Sequence, residues 1–594
     1  MTDTNVETEW QFEVEDLERV RAWLESQPEH APLRFTLIKD AEQVDSYYDT
    51  ADWRLFFAGY SLRRRRKDER YEATLKSLER ASDGPISRRE INEHSPAGEI
   101  PAPHGTSGPV SDRVRIIAGR APLVRLFEVR TWRRSYSVRQ GDDTLAQVEL
   151  DETTVAPQSA PASTFRRVEV EMTGGAPTPD IESFVQAMRF ANALTPTTTS
   201  KYEAGLQAAS LDPTSVLDFG PQTRGPRTGA AEYAYGWLRE QWAAFLRHAP
   251  GTRIGEDIEA LHQMRVATRR LRASSRVFES VLPPTFEGYR SELQWVGHEL
   301  GAVRDLDVQI EGLERLRAVS SWDDAAALRP LIEVIERERR VERERLVELL
   351  DSDRYDRFVQ SFSSALREGP PPETESPEIH RYAEPILARR FRRLRTDGKR
   401  LTDASPAVEY HELRIRGKRL RYSLEVFGEL YGRPAERATA ALKALQDMLG
   451  DHQDAEVGIE RLHAIIRAHG RELPPETLVA VGQLIERYRQ QEGALRADFP
   501  RDFERVLDRW RPLARIAAEA ARPKPERERA ESPVSTPSAP ATEVEAPGPT
   551  PAPTVHPSEN AAPPPRPTPP APAPRDDPSD AGTLTRMRQL FHRE

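Results

Sequence analysis

A chain of 594 residues is too long for a single hydrophobic core and calls for two or three domains. It has 31% charged and 37% hydrophobic residues, no cysteine, and no apolar run of about 18 residues. That excludes a disulfide framework, thiolate metal sites, a cysteine nucleophile and a membrane-spanning helix. The formal net charge of −10 excludes a protein that is basic all over, so any polyanion site must come from local clustering of Arg and Lys. The acidic, polar opening MTDTNVETEW is unlike a signal peptide, and a cytoplasmic location is expected.

Roughly the first 205 residues read as strands. Segments such as YEATLKS, TLAQVEL and RRVEVEM alternate apolar and polar residues between Gly, Pro and Asp clusters. Helices are expected near Val14–Glu25 and Asp180–Ala191. Residues 207–228 are Pro/Gly-rich and read as a linker. From about Glu232 to Ile516 apolar residues recur at helical spacing among dense Arg and Glu, giving an all-α region over 229–520. The Pro/Ala-rich tract 521–582 has too little apolar content to offset ordering entropy and reads as disordered. Residues 583–594 could form a short amphipathic segment through Leu584, Met587, Leu590 and Phe591.

The helical region contains a repeat. HQMRVATRRLRASSRVF from His262 matches HELRIRGKRLRYSLEVF from His411, and LGAVRDLDV from Leu300 matches LGDHQDAEV from Leu449. Both pairs are 149 residues apart, and one constant offset across so many identities marks a duplication. His262, Arg265, Arg269, Arg272 and Arg276 step by three or four and share a helix face, as do His411, Arg414, Lys418 and Arg421. Like charges at this spacing destabilise a helix by roughly 0.2–0.5 kcal/mol per pair, so acids or a bound anion must offset them. Arginine suits an anion because its planar fork binds phosphate oxygens bidentately. For any one arginine a solvated face is an equally good account. For the duplicated face it is weaker, because acids are absent from His262–Arg276 and Arg414–Tyr422. A metal reading through His262, His298, His411 and His452 with Asp305, Asp307 and Asp454 ranks lower, since these histidines sit among arginines. Nucleic acid is disfavoured because stacking aromatics are sparse on the two helices.

These residues resemble the CHAD domain, the conserved histidine α-helical domain, over about residues 229–520. The resemblance implies two pseudo-symmetric four-helix bundles and binding of inorganic polyphosphate. The contacts it implies are His262, Arg265, Arg269, Arg270, Arg272, His411, Arg414, Lys418, Arg419 and Arg421. One departure is Gln453, where the first copy has Arg304.

In the strand-rich part, charged residues at i,i+2 share a strand face: Glu7/Glu9, Glu149/Asp151, Glu169/Glu171 and Arg63/Arg65. Such pairs are ordinarily solvated. Their number and mixed sign fit a closed barrel with phosphate-binding cations and metal-binding carboxylates turned inward. With YYDTADWRLFFAGYSLRRR, TLK, Arg88-x-Glu90 and SKY, this part resembles the CYTH domain, the triphosphate tunnel fold, over about residues 5–206. The resemblance implies an antiparallel closed β-barrel with helices, and phosphate binding by Arg63, Arg65, Lys76, Arg88, Arg130, Arg133 and Lys201. It also implies Mg²⁺ or Mn²⁺ held by Glu7, Glu9, Asp151, Glu169 and Glu171, with Glu7, Glu9, Lys76, Arg63 and Arg65 as the catalytic set. The family's Glu-x-Glu-x-Lys opening has Gln11 at the lysine position, which removes a cation. The expected function is therefore polyphosphate binding, with metal-dependent triphosphatase activity as the alternative and polyphosphate granules as a place of action.

Overall fold

The computed structural model describes residues 5–26, 29–30, 32–67, 70–78, 85–95, 107–156, 162–174, 177–320, 322–372 and 376–522. The Pro-rich tract and the terminal amphipathic segment lie outside the described residues. The chain forms two compact units, one of residues 1–379 with 464–484, the other of residues 380–463 with the chain from 485 on.

The first unit begins with β1 (Asn5–Glu13), α1 (Leu17–Ser26), β2 (Glu29–His30), β3 (Leu33–Thr50), α2 (Arg54–Phe57), β4 (Tyr60–Lys67), β5 (Arg70–Ser77) and β6 (Ile86–Ser95). It continues with α3 (Pro109–Ala118), β7 (Leu123–Gln140), β8 (Asp143–Ala156), β9 (Ser163–Met172), α4 (Pro179–Asn192), β10 (Thr195–Pro196) and α5 (Lys201–Ala208). The order β1-β6-β5-β4-β3-β7-β8-β9 closes through β9 on β1, making an antiparallel barrel of eight strands among the described residues. Closure removes the exposed strand edges.

The alternation is inverted relative to an ordinary small barrel. On β1, β8 and β9 the apolar residues Phe12, Val148, Leu150, Val168 and Val170 point outward. They form a core with Leu17, Val20 and Leu24 of α1 and Ile181, Phe184 and Val185 of α4. Leu62, Leu75 and Ile91 likewise meet Val110, Val114 and Ile117 of α3. Along this wall the hydrophobic driving force is thus collected outside the barrel, and the polar half of the strands is turned into the lumen.

The connection at 207–228 is packed rather than free. Leu217 and Phe219 are buried, and Arg239 donates to the carbonyls of Pro221 (2.8 Å) and Leu366 (2.9 Å). The helical region then runs α6 (Ala230–Ile254), α7 (Ile258–Val277), α8 (Phe286–Val319), α9 (Trp322–Leu350) and α10 (Asp353–Glu368). The outer wall of the barrel meets the end of α6. Glu256 accepts from Tyr60 (2.5 Å) and Arg89 (3.1 Å) and pairs with Arg113, while Arg253 donates to the Ile116 carbonyl (3.0 Å).

The second copy supplies α11 (Ile379–Gly398), α12 (Ala407–Phe427), α13 (Arg433–His469) and α14 (Pro475–Ala520). The 149-residue offset carries the first residues of α6 and α7 onto those of α11 and α12. The duplication therefore extends beyond the histidine helices. Core positions correspond too: Ala234, Leu238 and Phe245 are buried, as are Ala383, Leu387 and Leu394. No helix of the described residues is long and apolar enough to cross a membrane.

Candidate functional site

A cavity of about 290 Å³ occupies the lumen. Around it stand the cations Arg63, Arg65, Lys76, Arg88, Arg133 and Lys201 and the acids Glu7, Glu9, Glu72, Glu90, Glu149, Glu169 and Glu171. Strand parity puts many of them there: Glu7 and Glu9, Arg63 and Arg65, Glu72 and Lys76, Arg88 and Glu90, and Glu169 and Glu171 stand two or four positions apart on one strand.

Three ionic groups share the lumen. In the first, Arg65 binds Asp45 through Nε (2.8 Å) and Nη2 (2.9 Å), and Arg63 approaches the same carboxylate. These cations hold Asp45 down at about 2 although it is buried. In the second, Lys76 pairs with Glu7 and reaches Glu9 (3.3 Å) and Glu90 (3.8 Å). Burial lowers and the surrounding carboxylates raise the Lys76 pKa; the acids prevail. In the third, Arg133 binds Asp151 through Nε (2.8 Å) and Nη2 (2.6 Å), contacts Glu169 (3.2 Å) and pairs with Glu149. Lys201 also donates to Asp151 (2.5 Å) and Glu169 (2.7 Å). A capping box fixes Lys201 as the first residue of α5: Ser200 Oγ accepts from the Glu203 amide (3.1 Å), and the Glu203 carboxylate accepts from the Ser200 amide (2.8 Å).

Behind Lys201, α5 fills one end of the lumen. Tyr202 and Leu206 pack with Tyr47, Phe127, Val129 and Val155. Gly205 is required there, since a Cβ would collide with the Phe127 ring.

Most of the expected lumen residues are brought together, with one correction. Arg130 lies on the outer face of β7, its side chain 57% exposed and bonded to Glu128 (3.1 Å). It stands three residues from Arg133, and an odd spacing on a strand puts two side chains on opposite faces. Gln11 does occupy the lumen, where it is buried and donates to Glu9 (2.9 Å). Sequence reasoning missed Asp45, and it missed Arg167. The latter is 2% exposed, its Nε and Nη1 have no hydrogen-bond partner among the described residues, and in register it faces Glu13 and Asp151. Its parity with Glu169 and Glu171 was the available signal.

Carboxylates in the third group suit a divalent cation. Ligand oxygens of Glu149, Asp151 and Glu169 lie within 4.8 Å of one another, and all three residues are buried. Burial and neighbouring carboxylates push Glu149 up to about 7 and Glu171 up to about 8. A cation there would relieve repulsion that the resident Arg133 and Lys201 leave in place, and hard oxygen donors fit Mg²⁺ or Mn²⁺. In the folded barrel these two acids keep protons that the unfolded chain releases near its ordinary carboxylate pKa. Stability should therefore fall as pH rises from about 5 to about 8. We expect a lower melting temperature at pH 8.5 than at pH 5.5 in chelator, with millimolar Mg²⁺ raising it at pH 8.5 and not at pH 5.5. Equal melting curves in all four conditions would remove this account. Asp45 and Glu169, both held low by cations, are fully ionised across that window and contribute no slope.

In the helical region the two histidine helices belong to different compact units. On α7, His262 is buried, Arg265, Arg269, Arg270 and Arg272 are half-buried, and Arg276 is exposed. Arg265 meets Asp305 of α8 at 3.5 Å. Arg304 on α8 is 7% exposed, and its Nε and Nη1 have no hydrogen-bond partner among the described residues. On α12, His411 Nδ1 hydrogen-bonds Gln453, so the residue replacing Arg304 in the second copy satisfies its histidine. Arg414 and Lys418 are half-buried and Arg419 is exposed. Arg421 departs from the expected row: it is 4% exposed and paired with Glu425 (3.2 Å), just beyond the acid-free stretch. His452 stacks on Tyr410 and accepts from Arg496 (3.1 Å), which is a packing role.

A closed antiparallel barrel with an ionic lumen, followed by a duplicated helical region, defines a two-domain architecture. Residues 6–206 match the family model of the CYTH domain and residues 236–463 that of the CHAD domain, so the chain is a CYTH–CHAD protein. It aligns at 28% and 29% identity over 259 residues with uncharacterized proteins of two Mycobacterium tuberculosis strains. The alignment covers 40% of this chain and 48% of each relative, so the chain spans about half the length of the curated relatives it matches. Among solved structures, the CHAD domain from the plant Ricinus communis is 27% identical, covering 47% of this chain and 92% of that one, with a TM-score of 0.41. A putative adenylyl cyclase from Hippeastrum, described as having a dominant triphosphatase activity, is 17% identical over 34% of this chain and 95% of its own, with a TM-score of 0.24.

Proposed function

We propose that this protein binds inorganic polyphosphate, with the CHAD domain holding the polyanion and the CYTH lumen taking a triphosphate-type group beside a divalent cation. The observation that carries the reading is Arg304, a buried guanidinium whose Nε and Nη1 lack a partner among the described residues, in a region that repeats its cationic helix face. A buried unpaired charge is costly, and a phosphate oxygen would supply the missing acceptor. A protein of this kind would act at polyphosphate stores.

In the lumen, Arg63, Arg65, Lys76, Arg88, Arg133 and Lys201 would exchange part of their carboxylate contacts for phosphate oxygens. Glu7, Glu9, Glu149, Asp151, Glu169 and Glu171 would hold Mg²⁺ or Mn²⁺, which polarises phosphoryl oxygens when bound. Glu171, pushed up to about 8 in the lumen, would release its proton as it takes up the cation.

The alternative reading is a metal-dependent triphosphatase, favoured by the carboxylates gathered in the lumen. Gln11 argues for weak turnover, because loss of one charge-stabilising group costs on the order of 2.7–4 kcal/mol. We expect little phosphate release from triphosphate by the wild type with Mg²⁺ or Mn²⁺, and a gain of about a hundredfold in Gln11→Lys. No release by either protein would end the enzyme reading and leave the binding reading standing.

A further inference from the structure

The two copies of the helical module differ on one face of their first helices. The offset that superimposes the cores of α6 and α11 sets Arg389, Arg392 and Arg393 of α11 where α6 has Glu240, Ala243 and Ala244. In α6 that face is partly covered by the incoming strap: Arg224 pairs with Glu240 at 2.9 Å, and Gly236 lies against the backbone of Gln222 and Thr223. In α11 the three arginines are exposed, on the side of the helix opposite Ala383, Leu387 and Leu394.

An exposed arginine on a helix is usually a solvated charge balanced by an acid one turn away. This chain follows that rule at several positions. Arg329 pairs with Glu333 (3.0 Å), Arg345 with Glu342 (2.7 Å) and Arg501 with Asp498 (3.1 Å). On α11 the rule fails. Arg389, Arg392 and Arg393 have no acid partner among the described residues, and Asp397, the acid one turn beyond, is taken by Arg416 of α12 at 2.6 Å. The row does not end at α11. Arg390 binds the carbonyl of Arg419 (2.6 Å), which brings the strip beside the exposed guanidinium-bearing face of α12.

We infer that the exposed face of α11 is a second phosphate-polyanion surface, one that takes the part of a long polyphosphate chain running beyond the histidine helix α12. This rests on the polyphosphate-binding reading above and extends it to chain length. Polyphosphate is favoured over nucleic acid because the strip is one helix face wide and carries no exposed aromatic on which a base could stack: Phe391 is buried.

The test uses the full chain with Arg389→Glu, Arg392→Glu and Arg393→Glu together, and a milder triple change of the same residues to Gln. Binding of tripolyphosphate, of polyphosphate about a hundred units long and of duplex DNA is titrated against salt. With three phosphate-neutralising charges removed, long-chain affinity at low salt should drop about tenfold or more and the salt slope should shrink by roughly 2, with half-way values for the Gln variant. Tripolyphosphate binding should not change. Unchanged long-chain affinity and slope would overturn the inference, as would an equal loss for tripolyphosphate, which would make the strip part of the compact site. Loss of duplex binding with long polyphosphate unaffected would assign the strip to nucleic acid and also overturn it. If the wild type fails to bind long polyphosphate at all, the underlying reading fails instead.

Discussion

Replacing Arg133 with methionine is expected to destabilise the barrel by about 3–5 kcal/mol, the usual cost of removing one partner from a buried ionic cluster. Arg133 is the cation that touches Glu149, Asp151 and Glu169 together, and it grips Asp151 through a bidentate pair. Without it, Lys201 and Arg167, which faces Asp151 in register, are left beside three buried carboxylates. The carboxylate charge would exceed the cations left, so the defect should be worst at high pH and partly reversed by Mg²⁺. Chemical denaturation of wild type and variant at pH 6 and pH 8.5, with and without Mg²⁺, measures both effects. An unchanged midpoint would show that the cluster is solvated and that Arg133 does not hold the lumen together.

Changing Arg265, Arg269, Arg414 and Lys418 to Glu is expected to reduce polyphosphate affinity about a thousandfold or more at low salt. Each change replaces an attraction with a repulsion, and phosphate neutralisation releases counterions cumulatively. The four positions take two residues from each copy of the repeat. Binding followed across a salt series gives both the affinity and, from the slope, how many phosphates the variant no longer neutralises. Undiminished affinity would mean that the duplicated face is a solvated surface.

Much of the lumen was legible because a strand has a period of two: Glu7 with Glu9, Arg63 with Arg65 and Glu169 with Glu171 announce a shared face. The same rule exposes the Arg130 error, since Arg130 and Arg133 cannot both point inward. Asp45 was hidden because its i±2 neighbours on β3, Gln43 and Tyr47, are uncharged, and its importance comes from β4, which sets Arg65 directly across from it. That pairing is a tertiary fact. On the helices, the 149-residue offset located both histidine faces. It did not reveal that Glu425, one turn past Arg421, would neutralise it. Nor did it show that Gln453 would answer His411 while Arg304 kept two nitrogens unanswered. Those depend on which neighbouring helix supplies the partner.

The plug formed by α5 bears on how a polymer would be handled. With Tyr202 and Leu206 packed against Phe127, Val129 and Val155, the lumen is a cul-de-sac, and a chain cannot be threaded through it. Only a terminus can enter. For a polymeric ligand, lumen occupancy then counts chain ends rather than mass: cutting a fixed mass of polymer into halves doubles what the barrel can engage, while the helical surfaces respond to total length. On the polyphosphate-binding proposal, the two domains of one chain would gauge different properties of the same polymer, one its ends and the other its extent.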